Sequence, residues 1–335
     1  MSTILVTGGC GFIGTNFIRH WLNNHSEDRV INFDSLTYAG NLENLSDVAD
    51  NPRYTFIHAD IADMNSVITT LEKHKPDVIV NFAAESHNSR AIVDPGSFFR
   101  TNVLGTQTLL EAARQAKTPR FHHISTCEVF GDLALDSTDK FQEDYPYRPR
   151  TPYNASKAGA DHAVRAYVET FKLPATISIC ANNYGPYQFP EKLIPHFCTR
   201  LMRGEKMPLY KSSCNRREWL HVLDHCRAVE KIITAGQIGE TYNIGSETEM
   251  DIEEVADRLL TAFGFDDSYK EYVPDRPGHD RRYLLDNIKI CRELGWEATI
   301  GLDEGFADTV AWYRSNEQWW APLLEKMVVN ESNWK

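Results

Sequence analysis

Ile4-Leu5-Val6-Thr7-Gly8-Gly9-Cys10-Gly11-Phe12-Ile13-Gly14 decides the fold. Its first three residues, two of them β-branched, read as a buried strand, and from Phe12 the apolar pattern takes the helical period. Between them, glycines at 8, 11 and 14 permit a tight turn, close backbone approach to a pyrophosphate and close packing of helix on strand. The first N–H groups of such a helix have no partner within it and face an anion beyond the turn. Asp34 then closes the second strand, where a carboxylate accepts hydrogen bonds from adenosine ribose hydroxyls. It would repel a 2′-phosphate and no Arg follows it closely, so the expected cofactor is NAD.

Outward from this stretch, short apolar runs alternate with amphipathic stretches of helical length. Ile4-Leu5-Val6, Val30 to Phe33, Tyr54 to Ile57, Val78-Ile79-Val80, Phe121 to Ile124 and Thr176 to Ile179 read as strands. Helical patterns over Phe12 to Asn23, Ser66 to Lys73, Phe98 to Ala116 and Tyr153 to Phe171 separate them. Such alternation implies an α/β fold with a Rossmann-type, doubly wound parallel sheet. Ligands of such sheets bind at the strands' carboxyl ends, so Asp60-Ile61 and Ala83-Ala84-Glu85-Ser86 are expected to line the adenine and ribose. After Asn182 the texture turns to Pro- and Gly-rich loops, with helical patterns at Leu193 to Met202, Asp224 to Ala235, Asp251 to Phe263 and Leu302 to Ser315. The reading is a cofactor domain over 1–182 and a smaller substrate-binding lobe over 183–335, with some elements of the second half returning to the main sheet.

Bulk properties narrow the function class. The 335 residues carry a net charge of -12, which argues against a nucleic-acid partner, because phosphate backbones are held by clustered Lys and Arg. No apolar run reaches the roughly 18 residues of a membrane span, and no signal peptide is read at the start. The cysteines at 10, 127, 180, 198, 214, 226 and 291 are odd in number, scattered and without a Cys-x-x-Cys pair. This speaks against a disulfide framework and a zinc site, so no metal is expected and the compartment is read as cytoplasmic.

Tyr153 and Lys157 stand four apart at the start of a helix, hence on one face. A free tyrosine, with a pKa of about 10, is too weak a base at neutral pH. An ammonium and an oxidised nicotinamide nearby would favour its phenolate, making Tyr153 a base for an alcohol proton.

With these residues the chain resembles the extended short-chain dehydrogenase/reductases that act on nucleotide sugars, and within them the dTDP-glucose 4,6-dehydratases. The likeness runs through Asp34-Ser35-Leu36-Thr37-Tyr38-Ala39-Gly40-Asn41, Ala83-Ala84-Glu85-Ser86-His87, Ser125-Thr126-Cys127-Glu128, Asn182 to Lys192, Arg217-Glu218-Trp219 and Asp275-Arg276-Pro277-Gly278-His279-Asp280. It implies cofactor contacts from Phe12, Ile13, Ser35, Thr37, Gly40, Asn102 and Ser125, besides the residues above and the Tyr153–Lys157 pair. It further implies that Tyr153 takes the proton of the sugar 4-hydroxyl, with Thr126 hydrogen-bonding that oxygen and Lys157 holding the nicotinamide ribose. Glu128 would remove the C5 proton, a neighbouring acid would protonate the departing 6-hydroxyl, and hydride would return to C6. A dTDP- or UDP-linked hexose would contact Ser86, His87, Asn182, Lys192, Leu193, Pro208, Tyr210, Arg217, Arg276 and His279. Relatives pair through the helices at Phe98 to Ala116 and Tyr153 to Phe171, so a homodimer is expected.

Three departures stand out. The dehydratases carry Asp where this chain has Cys127, and a thiol, with a pKa of about 8.5 and a weak S–H donor, is a poor substitute acid. His87-Asn88-Ser89-Arg90 stands where they read His-Val-Asp-Arg, and Asp251 replaces an Asn. Cys127 is thus either the general acid or a spacer. Four outcomes stay open: 4,6-dehydration; 5,6-dehydration to an exo-glycal with hydride returned to C4; decarboxylation of a UDP-glucuronate; and an idle NAD-binding protein.

Overall fold

Each apolar run of the first half becomes a strand, and of the four amphipathic stretches all but Phe98 to Ala116 become single α-helices. The structure, a computed structural model, describes residues 1–275 and 278–327. In chain order these are β1 (Thr3–Thr7), α1 (Phe12–Asn24), β2 (Arg29–Asp34), β3 (Tyr54–His58), α2 (Met64–His74), β4 (Val78–Asn81), α3 (Asn88–Val93), α4 (Pro95–Phe98), α5 (Thr106–Ala116), β5 (Arg120–Thr126), α6 (Pro152–Phe171) and β6 (Ala175–Cys180). The second half supplies β7 (Asn182–Tyr184), α7 (Leu193–Met202), β8 (Met207–Tyr210), β9 (Arg216–His221), α8 (Val222–Ala235), β10 (Thr241–Ile244), β11 (Glu249–Asp251), α9 (Ile252–Phe263), β12 (Lys270–Val273), α10 (Ile288–Leu294), α11 (Leu302–Ser315) and α12 (Glu317–Trp320).

Seven strands form one sheet in the order β10-β6-β5-β4-β1-β2-β3, every neighbouring pair parallel. Strand order reverses between β1 and β4, which opens a crevice above their carboxyl ends. The expected return of later chain to the main sheet is β10, whose Thr241 to Ile244 register against Ile177 to Cys180. Smaller sheets, β11-β9-β7 and β12-β8, build the second lobe.

Two apolar cores underlie the two lobes. One surrounds the large sheet and takes in Val222, Cys226, Val229 and Ile232 of α8 together with Ile290 and Trp296. The other gathers Phe197, Trp219, Val255, Leu259, Phe306, Tyr313 and Trp320. A single cut in sequence therefore does not separate them, since α8, β10 and α10 serve the first core.

The expected continuous helix from Phe98 to Ala116 is interrupted. A π-helical stretch over Phe99–Gly105 lies between α4 and α5. Its wide turn aims Asn102 inward, where Oδ1 accepts from Glu85 N–H (2.9 Å) and Nδ2 donates to Glu85 O (3.0 Å) and Ser156 Oγ (2.8 Å). Asp251, one of the departures, is a helix cap. Its side chain accepts from Glu254 N–H (2.8 Å) while Glu254 Oε2 accepts from Asp251 N–H (2.9 Å), closing a capping box at the head of α9.

Glu218 of β9 is fully buried and accepts from the N–H groups of Glu247 (2.7 Å) and Leu285 (3.0 Å). Burial nevertheless pushes its carboxyl up to about 7, against an ordinary value of 4.5. The folded chain therefore binds an extra proton between those values, and stability falls as pH rises through that window and is level above it. Glu218→Gln is expected to remove the fall, worth on the order of 2–3 kcal/mol. Urea midpoints of both proteins at about pH 5 and pH 8 measure it.

Candidate active site

At the reversal point, backbone meets backbone. Gly8 has φ +69°, and a Cβ there would lie 2.7 Å from N and Cα of Ala83, at the end of β4. A Cβ at Gly14 would strike the Gly8 carbonyl, so the helix head sits directly on the turn. Beyond them, Asp34 Oδ2 accepts from Cys10 N–H and Oδ1 from Leu36 N–H, both at 2.8 Å. Burial raises this carboxyl, and the two N–H donors pull the other way.

The cleft over this turn is lined by Gly8, Gly11, Phe12, Ile13 and Gly14 on one side. Asp34, Ser35, Thr37, Gly40, Asp60 and Ile61 face them, and Ala83, Ala84, Ser86 and Ser125 form the floor. A side-chain-free cradle at a helix N-terminus, with one buried carboxylate beyond it, suits a dinucleotide pyrophosphate and ribose, so these residues fit NAD. Asn102 is the exception. It is not on the wall but behind it, because both its amide groups are committed to holding Glu85 and Ser156.

Thr126, Glu128, Tyr153 and Lys157 line the far end of the same cleft. Thr151 caps α6, accepting from Asn154 N–H (3.2 Å), and Pro152 starts it, so Tyr153 projects from the first turn. Tyr153 is hydrogen-bonded to Thr126, which favours its phenolate, but burial and the Glu128 carboxylate push it well above its ordinary value. Lys157 lines the cleft four residues beyond Tyr153 on α6, and its ammonium donates to Ile124 O at 2.6 Å. Burial lowers Lys157, opposed by the Asp161 carboxylate one turn further along α6. Asp161 is itself fully buried, accepting from Ser125 Oγ (2.6 Å) and Tyr147 Oη (2.8 Å), with His123 Nε2 3.4 Å from its other oxygen.

Cys127 lies off the walls of both cavities, only 1% exposed and packed in the core of the large sheet. Burial and the neighbouring Glu128 push its thiol well above the ordinary value. The reason is geometric: a single 3₁₀ turn over Cys127–Phe130 follows β5, and it faces Glu128 toward the cavity and Cys127 inward.

A second cavity adjoins the first and shares Ser86, Glu128, Asn182, Glu191 and Lys192 with it. Of the residues expected to contact substrate, His87, Leu193, Pro208, Tyr210, Arg217 and His279 also line this space. Thr126 lines the cofactor cleft, and Arg276 lies outside the described residues. Lys192 donates to Ser86 O (2.7 Å), tying the two cavities' walls together. Arg217 lines the cavity and is at the same time tied to the main chain. Its terminal nitrogens donate to the carbonyls of Arg216 (2.7 Å) and Asp280 (2.7 Å), and its guanidinium lies over the Tyr283 ring. Sequence reasoning missed Tyr283, whose hydroxyl donates to Asp280, and His196, which both line the cavity. Neither stands in a quoted motif. Asn88 lines it as well, and its departure from the dehydratase pattern was the available signal.

Residues 5–309 match the family model described as GDP-mannose 4,6 dehydratase. The chain belongs to that family. A dTDP-glucose 4,6-dehydratase of Shigella flexneri is 46% identical over 94% of both chains. One of Streptomyces niveus is 46% identical, covering 96% of this chain and 95% of its own. Among solved structures, a dTDP-glucose 4,6-dehydratase of Streptomyces venezuelae with NAD bound superposes with a TM-score of 0.93 at 47% identity, over 96% of this chain and 99% of that one. A Bacillus anthracis dTDP-glucose 4,6-dehydratase in complex with NAD gives 0.90 at 43%, over 96% and 100%.

Gly8→Ala is expected to lose bound NAD and to destabilise the fold by about 2–4 kcal/mol, because a methyl group cannot share the space of the Ala83 backbone and φ is positive. Cofactor content after gel filtration and a urea titration measure the two effects.

Proposed function

We propose that the protein is an NAD-dependent nucleotide-sugar 4,6-dehydratase converting a dTDP-hexose to the 4-keto-6-deoxy sugar. The observation that carries this reading is the position of Glu128, on the shared wall of the cofactor cleft and the second cavity, beside Thr126 and Tyr153. A sugar whose nucleotide lies in the second cavity would bring C4 to Tyr153 and C5 to Glu128. Relatives named for dTDP-glucose favour a dTDP substrate.

Bound NAD would supply the hydride acceptor for C4, the hydride donor for C6 and a positive charge favouring the Tyr153 phenolate. The chain's own groups move the protons. Tyr153 takes the 4-hydroxyl proton while Thr126 holds that oxygen, and Lys157 orients the ribose side of the cleft. The resulting ketone acidifies C5, and Glu128 removes that proton. With Cys127 turned into the core, Glu128 is the acid–base group at the right place to return a proton to the leaving 6-hydroxyl. Protons released from the 4-hydroxyl and C5 equal those consumed by the leaving group and by C5 on hydride return, so one water is lost. Ser86, His87, Asn182, Lys192, Leu193, Pro208, Tyr210 and His279 would hold the nucleotide sugar, with Arg217 fixing the 280–281 stretch over it.

The same reading includes a cytoplasmic homodimer. The seven cysteines are all free, which favours a reducing compartment, and no described helix is long and apolar enough to cross a membrane. Phe99 (44% exposed), Leu104 (50%) and Phe171 (50%) offer apolar surface along the expected pairing helices. Sedimentation of a monomer at micromolar concentration would sink the dimer.

Incubation with dTDP-glucose should yield a 4-keto-6-deoxy product by NMR and mass; an unchanged sugar or an exocyclic alkene defeats the reading. Tyr153→Phe is expected to lower kcat by about 10³ with NAD content unchanged. Cys127→Ala should stay within about threefold of the parent kcat, and a loss of a hundredfold would restore the thiol as the acid.

A further inference from the structure

We propose that Asn88 is a positioning residue for Glu128, coupling that carboxylate to the cap of the helix that carries Tyr153. The proposal rests on the dehydratase reading and adds a residue that no catalytic motif contains. Asn88 begins α3 and is buried. Its Nδ2 donates to Glu128 Oε2 at 2.8 Å, and its Oδ1 accepts from Thr151 Oγ1 at 2.6 Å.

Thr151 decides which way the Asn88 amide faces. Its hydroxyl oxygen already accepts from Asn154 N–H at the head of α6, so its proton points to Asn88 Oδ1. With the amide reversed, that hydroxyl proton would have no acceptor, and Oδ1 would face the carboxylate oxygen at 2.8 Å. Only one orientation satisfies every group, and it presents an N–H donor to Glu128.

Glu128 needs such a hold. It stands on one 3₁₀ turn, where its own N–H reaches Thr126 Oγ1 only at 3.4 Å. Two hydrogen bonds, Glu128 to Asn88 and Asn88 to Thr151, link the C5 base to the residue two positions before Tyr153. The base and the group that takes the 4-hydroxyl proton are thereby kept in fixed relation across two separate elements. Val, expected here from the resemblance, has no group to donate, so this link belongs to the present sequence.

The groups facing Glu128 electrostatically are the Tyr153 and Tyr283 hydroxyls, the Cys127 and Cys180 thiols and the Asp280 carboxyl. None of these is changed by a substitution at Asn88, so the variants report on the amide.

The test is stopped-flow absorbance of reduced nicotinamide with dTDP-glucose as probe, its rise reading C4 oxidation and its decay reading elimination and reduction. For Asn88→Val we expect the decay to slow by about ten- to a hundredfold while the rise changes by less than about threefold, so reduced nicotinamide accumulates. Calorimetric binding of dTDP should change by less than about threefold in Kd. Asn88→Asp keeps the acceptor for Thr151 but sets a carboxylate against Glu128. In that variant the acid limb of the decay rate should move up by about one pH unit, which also decides the matter should Asn88→Val fold poorly. Equal slowing of rise and decay, an unchanged decay, or an unmoved acid limb would overturn the proposal. A parent protein that shows no rise at all refutes the dehydratase reading instead, before any variant is compared.

Discussion

The close approach of Gly8 to the Ala83 main chain is the contact on which the rest depends. Neighbouring β1 and β4 release the chain in opposite directions, and the crevice between their exits has a floor only because no side chain fills it. With φ +69° at Gly8 the turn doubles back under the head of α1, so the helix's first N–H groups, the Asp34 carboxylate and the Ser125–Thr126 end of β5 open on one cleft. Moving that floor by the thickness of a methyl group would displace all three.

The chemistry of the far end follows from burial. Tyr153, Lys157, Asp161 and Cys127 are all buried, and in each case desolvation is the largest influence on the proton. A buried charge persists only where it is paired or hydrogen-bonded. Lys157 has Ile124 O and Asp161, and Asp161 has Ser125, Tyr147 and His123. These contacts tie α6 to β5. Cys127 is packed in the apolar core with the Glu128 and Glu218 carboxylates near it, which suits a neutral thiol.

The second lobe is not an independent appendage. Arg90 donates to Glu191 (3.0 Å) and to Lys326 O (2.9 Å) while its guanidinium lies over the Tyr38 ring, joining the loop after β2, the loop before α7 and the end of the described chain. Trp319 Nε1 donates to Asn44 Oδ1 (2.7 Å), and Tyr187, at φ +67°, sits between Arg19 and Trp312. The walls of the two cavities are therefore braced from both ends, which gives Glu128 a defined place between them.

Local pattern alone determined the strand–helix alternation, the parallel sheet, the dinucleotide turn and the carboxylate at the end of β2, because each depends on period, glycine placement or a neighbour a few residues away. The same holds for the Tyr153 and Lys157 pair, whose shared face is a property of any helix. Tertiary structure alone decided what lies behind a wall and what lies on it. Asn102 reads like a cofactor contact until the π-helical stretch turns it into a brace, and Cys127 is open between acid and spacer until one turn of 3₁₀ helix points it into the core. Arg217, a candidate for the diphosphate, is drawn to the carbonyls of the 280–281 stretch, 63 positions away. Asn88 shows the limit most clearly. Its departure from the dehydratase pattern was visible in the sequence, but the partners that give it a role come from positions 128 and 151, which only the packed fold brings within hydrogen-bond distance.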